Sequence, residues 1–206
     1  VLMLLPRDQA GRARWVALGT ALAGAIAAFG GAFQYQAGSG LRTIARTSWI
    51  PSLGIDYHLA VDGISVTLIL LTAVAAVAGI LFSWNITRRA KEFFAFYLAL
   101  IGGVYGVFLS FDAFVLFVFY EIAIIPKYFL IAIWGSTRKE YGAMKLALYS
   151  FAGSALVLIG LIAAFVVARS QTGVPTFDLT ALARVNYPES FQRWAFPLVF
   201  VGFGIL

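Results

Sequence analysis

The sequence predicts an all-α fold, a polytopic bundle of transmembrane helices, and three observations predict it. Of the 206 residues, 62% are hydrophobic and only 12% are charged, about half the charged fraction with which a soluble domain covers its aqueous surface. The apolar residues come in long blocks, and crossing a bilayer takes about 20 residues of helix. The charges collect mainly in the stretches between those blocks.

Residues 1–5 are an apolar stub closed by Pro6 and Arg7. The stub is too short for a signal-peptide core and reads as the tail of a helix. The first full span is 15–33, rich in Ala and Gly, small residues that let helices approach closely in lipid. The stretch 34–63 is more polar, and residues 55–62 partly alternate between apolar and polar, which hints at short strands. Asp62 is placed to cap a second span, 64–84, by accepting from the unpaired N–H groups of its first turn. A basic loop with Arg88, Arg89 and Lys91 leads to a third span, 93–110. Asp112, in a tight turn, caps a fourth span, 113–134. After a short loop, the fifth span is 142–167. A polar stretch with Pro175 and Pro188 precedes an apolar segment from 195 to 206, too short to cross. The chain reads as one membrane domain, 1–206, cut at both ends.

Successive spans alternate direction, so the loops fall into two groups. Arg7, Arg12, Arg14, Arg88, Arg89, Lys91, Arg138 and Lys139 lie in short stretches on one side. Arg42, Arg46, Arg169, Arg184 and Arg193 lie in longer ones on the other. The positive-inside rule puts the first group in the cytoplasm. Topology thus explains the net charge of +6, and nucleic acid is not expected as a partner. With no cysteine, disulfides, iron–sulfur ligation and thiol catalysis are excluded. The single histidine, His58, does not make a zinc or haem site, so no cofactor is expected, and His58 itself reads as a surface residue. Trp84 and Trp134 read as interfacial anchors. Gly102, Gly103 and Gly106 read as close-packing positions.

One acid stands apart. Glu121 lies ~12 Å into the fourth span by helical rise, among apolar and aromatic neighbours, where a charge costs roughly 2.5 kcal/mol or more. It is therefore expected to face the bundle interior, a cation or water. Burial raises a carboxylate pKa and a nearby cation lowers it, and a group held between the two can exchange protons. The competing reading is a static ion pair that fixes packing. Lys127, six residues on, points about 240° round the helix from Glu121 and reads as a snorkelling lysine or a polar group of the site. Lys145, in the first turn of the fifth span, has the same two readings. It is offset from Glu121 by ~15 Å along the axis. Pro126 removes a backbone donor and kinks the fourth span, or is an ordinary membrane-helix proline.

These residues carry a resemblance. Tyr120-Glu121-Ile122-Ala123-Ile124-Ile125-Pro126, followed by Tyr128-Phe129-Leu130-Ile131 and Trp134-Gly135, resembles the fifth-helix motif of the antiporter-like subunits of respiratory complex I, most of all the subunit M (chain 4) branch in bacterial NADH–quinone oxidoreductases. Val61-Asp62-Gly63-Ile64-Ser65 resembles the family's entry to its third helix. Lys145, in Met144-Lys145-Leu146-Ala147-Leu148-Tyr149, matches a family lysine in the sixth helix. The resemblance covers roughly residues 49–160. It implies part of a larger bundle with inverted repeats, a multi-pass place in the cell inner membrane, other membrane subunits and the lipid bilayer as partners, and proton translocation driven by quinone reduction elsewhere in the complex. It implies that Glu121 is the family's helix-five glutamate, coupled to a lysine in helix seven. That lysine is expected a few residues past Leu206, since Gly202-Phe203 resembles the approach to it; otherwise this copy lacks it. Many members have an apolar residue where this chain has Lys127. A subunit of a multisubunit sodium/proton antiporter or of a membrane-bound hydrogenase fits the same motifs. A structural membrane scaffold is the alternative of a different class.

Overall fold

The structure is a computed structural model that describes residues 10–35 and 40–205. The stub 1–5, Arg7 and Leu206 lie outside the described residues. Along the chain run α1 (Ala10–Gln34), β1 (Arg42–Ile50), β2 (Ile55–Val61), α2 (Gly63–Phe82), α3 (Ala90–Leu109), α4 (Ala113–Trp134), α5 (Lys139–Thr172), a single turn α6 (Leu179–Leu182) and α7 (Glu189–Gly204). Among them, α1 to α5 are long and apolar enough to cross a membrane. The expected spans are present. The fifth is longer than expected at both ends, and α7 begins at Glu189 rather than at Ala195.

Local chemistry sets the helix starts. Asp62 Oδ1 accepts from Ser65 N–H at 2.7 Å, and Asp112 Oδ1 accepts from Phe114 and Val115 N–H, so both predicted caps satisfy donors that have no partner inside the helix. At the basic end α3 and α5 begin after Arg89 and Arg138, both at positive φ. Trp134 Nε1 donates to Arg88 O at 2.7 Å and Arg14 Nη2 to Ile86 O at 3.1 Å. The short basic loops thus gather at one end of the bundle.

The helical bundle carries one small sheet. β1 and β2 pair antiparallel at the opposite end, where the alternation over 55–62 had hinted at strands. Every residue of β1 from Arg42 to Trp49 is exposed, while β2 buries Ile55, His58, Ala60 and Val61. A sequence exposed on both faces carries no periodic signal, so only the inner strand was visible. Gly54 closes the hairpin at φ 65°, and a Cβ there would collide with the backbone carbonyl of Pro175. The position demands glycine for both reasons.

Two apolar clusters hold the bundle. Ala13, Ala17, Ala76, Ile80 and Phe94 join α1, α2 and α3, while Ile55, Val115, Phe165, Ala168, Phe177 and Leu182 join the hairpin to α4, α5 and α6. Helices α3 and α4 meet across Gly103 and Gly106, which face Ala123 and Phe119; Gly102 faces open space. A Cβ at Gly103 would lie 2.9 Å from Ala123 Cβ and 3.0 Å from its backbone N. Gly103→Ala is therefore expected to cost about 1–3 kcal/mol by overpacking. Gly102→Ala is expected to gain up to about 1 kcal/mol from helix propensity. Thermal unfolding of the two variants in detergent checks the opposite signs.

Candidate functional site

Two polar constellations stand out, one inside the bundle and one at its hairpin end. The inner one is built on α4. Glu121 is half-buried, and its Oε1 is shielded from solvent with no hydrogen-bond partner. The neighbouring Tyr120 hydroxyl and the Ser150 Oγ of α5 are shielded and unpartnered in the same way. Glu121 makes no ion pair among the described residues, so none of them supplies the partner of a static pair.

Depth along the helices places these groups. Lys139 Nζ donates to Ile133 O at 2.9 Å, so the end of α4 and the start of α5 lie level. Glu121 is 13 residues before Trp134 and Ser150 is 11 after Lys139, depths of roughly 20 and 17 Å. Lys127 is seven residues before Trp134 and Lys145 six after Lys139, depths of roughly 11 and 9 Å. The acid and the serine thus share one layer, and the two lysines share another nearer the basic end. The axial offset between Lys145 and Glu121 shortens to roughly 10 Å, because α5 starts three residues earlier than its predicted start at 142.

Lys127 is half-buried. Lys145 is exposed, its Nζ 5.7 Å from the centre of the Tyr149 ring. Pro126 is buried inside α4, which continues through it to Trp134. Its missing N–H frees the carbonyl of Ile122, one residue from Glu121. The layer is closed by Tyr120 packing edge-on against Phe203 of α7 at 5.7 Å between ring centres, with Gly202 set against Gly153 of α5. Apolar walls with unpartnered polar atoms suit a group that trades a proton, since each buried polar atom gains from a transient partner.

The hairpin-end constellation overturns the surface reading of His58. That ring is 3% exposed. Its Nδ1 lies 3.0 Å from Asp178 Oδ2 and its Nε2 lies 3.1 Å from Thr43 Oγ1. Arg46 pairs with Asp56 at 2.7 Å and reaches Asp178 at 3.5 Å. Asp178 also caps α6, accepting from the Thr180 and Ala181 N–H groups. Asp112 is fully buried and accepts from Asp56 N–H through its second oxygen at 3.1 Å. Burial pushes the Asp178 pKa up. The Thr180 hydroxyl, the Ala181 N–H and the charges of His58 and Arg46 outweigh it and hold the pKa below the usual 3.8. Burial raises Asp112 above 3.8 in spite of its backbone donors. Sequence reasoning missed this cluster because its members lie far apart along the chain, His58 and Asp178 by 120 residues. The one local signal was Asp178 before Leu179-Thr180, the pattern of an N-cap. Among the described residues, no group of three or more His, Cys, Asp or Glu is arranged to hold a metal.

With this geometry in hand, comparison with known proteins gives a consistent result. Residues 110–205, which include Glu121, Lys127 and Lys145, match the family described as NADH:quinone oxidoreductase/Mrp antiporter, TM. The NAD(P)H-quinone oxidoreductase chain 4 3 of Picosynechococcus sp. is 36% identical over 208 residues, covering 100% of this chain and 37% of that protein. The chain thus spans little more than a third of the length of this relative. Respiratory complex I from Thermus thermophilus contains a chain of matching structure, with TM-score 0.73, 25% identity, and coverage of 99% of this chain and 39% of that one. The membrane-bound sulfane sulfur reductase, an archaeal respiratory membrane complex, shares the fold, with TM-score 0.75, 22% identity, and coverage of 98% and 40%.

Proposed function

Starting from this kinship with the antiporter-like subunits of NAD(P)H–quinone oxidoreductases, we propose that the chain carries protons across the bacterial inner membrane as part of such a complex. Other membrane subunits surround it, and quinone reduction elsewhere in the assembly drives the transfer. The chain does no redox chemistry of its own. The observation that supports this most is Glu121, an acid in the middle of a membrane span with a shielded, unpartnered oxygen. Intramembrane acids of this kind serve proton relays. In this reading Glu121 takes up and releases the proton. Lys145 and, to a lesser degree, Lys127 form a cationic layer closer to the cytoplasm that tunes or relays the proton's passage. Protons leave toward the hairpin end.

The test is proton counting. The intact complex, with Glu121 native or replaced by Gln, is placed in sealed vesicles, and protons moved per NADH oxidised are compared. Equal yields from a fully assembled Glu121→Gln complex would falsify the reading and leave a scaffold. Because the matched family also covers Mrp antiporters, a second reading is a sodium/proton antiporter subunit. Proton movement that requires a sodium gradient rather than NADH oxidation would favour it.

A further inference from the structure

A cavity of about 540 Å³ opens where α1, α2 and α3 meet the hairpin, with no residue of α4 in its lining. We propose that it holds an acyl chain of an anionic phospholipid from the leaflet on the hairpin side, with the phosphate at Arg42.

Three features fit that occupant. The first is polarity in the right order. Arg42, exposed at the mouth, donates to Gln34 O at 3.0 Å, and its planar fork suits a phosphate. Deeper in the wall stands Tyr105, whose hydroxyl is shielded and without a partner. It lies four residues along α3 from Leu109, which also lines the cavity, about 6 Å further in, and suits an ester carbonyl below the headgroup. Beyond it the walls are apolar, with Gly24 and Ala28 of α1 and Ile69 of α2. The second feature is length. The α1 wall runs from Gly24 to Gln34, ~15 Å by helical rise, which is half of the roughly 30 Å hydrocarbon core and so one leaflet.

The third feature is a bare wall. Gly24 and Gly31 would accept a Cβ with nothing within 4 Å, so packing among the described residues does not demand their bareness, and it leaves a smooth channel.

The test uses the purified full complex, exchanged into detergent doped with phosphatidylglycerol or phosphatidylcholine carrying labelled acyl chains, with retained label counted by mass spectrometry. The native complex is expected to keep phosphatidylglycerol in preference to phosphatidylcholine. Arg42→Gln is expected to lower phosphatidylglycerol retention about fivefold, the effect of one cation at an anionic headgroup, and to leave phosphatidylcholine unchanged. Gly31→Leu, whose Cβ meets nothing within 4 Å and whose branched end takes up space in the cavity, is expected to lower both. Retention unaltered by either variant overturns the proposal, as does a subunit helix found in the cavity. Proton yield is read on the same samples, and a normal yield with lost lipid keeps this inference separate from the role of Glu121.

Discussion

Replacing Glu121 by Gln is expected to slow proton transfer through this subunit about a hundredfold, the usual scale for removing a proton-exchanging group, while the complex still assembles. Gln has nearly the same shape and can satisfy the same polar surroundings, so the packing of that layer is kept. What disappears is a group that ionises. Glu121→Asp keeps the chemistry and withdraws the carboxyl by about one methylene, so it is expected to retain a measurable part of the proton yield. A scaffold predicts the opposite ranking, because Asp alters the packing more than Gln does. Lys145→Ala is expected to have a smaller effect than Glu121→Gln. Lys145 is exposed and lies in a different layer, so its charge acts on the carboxylate from a distance and is partly screened. Protons per NADH in vesicles, with assembly checked by gel, reads all three.

The sequence made the α4 site legible and the hairpin site illegible for one physical reason. A charge in lipid is costly, so Glu121 stands out against its own neighbours with no knowledge of the fold. The caps Asp62 and Asp112 were equally visible, because a cap bonds within three residues of itself. His58 and Asp178 gain their meaning only from each other, and a polar residue in a polar loop costs nothing that sequence can register. The same holds for depth. Whether Lys145 reaches Glu121 depends on where α5 starts, and that start is set by Arg138 at positive φ, a conformation that an arginine does not advertise. Ser150 entered the Glu121 layer unnoticed because a serine in a membrane helix ordinarily bonds its own preceding turn.

Asp178→Ala is expected to cost about 3 kcal/mol in the attachment of the hairpin. It leaves the buried His58 Nδ1 without its partner and removes the cap from Thr180 and Ala181, each loss worth about 1–2 kcal/mol. The attachment should also respond to acid with a definite sign. The folded pKa of Asp178 lies below 3.8. Its contribution is therefore fully present above the unfolded value and is lost as pH falls through the folded one. Asp112 runs the other way. Its folded pKa is raised, so protonation relieves its burial and acid does not loosen it. Protection of the β1–β2 amides against hydrogen exchange in the native protein, taken relative to the intrinsic rate at each pH, is expected to stay flat from about pH 8 to 5 on this account and to fall below 3.8. Asp178→Asn should exchange faster at neutral pH and lose that acid limb. Asp112→Asn, which surrenders the acceptor for Asp56 N–H, should also exchange faster but keep the limb. An acid limb that survives Asp178→Asn would assign it to another carboxylate, with Asp56 in the Arg46 pair the next to test.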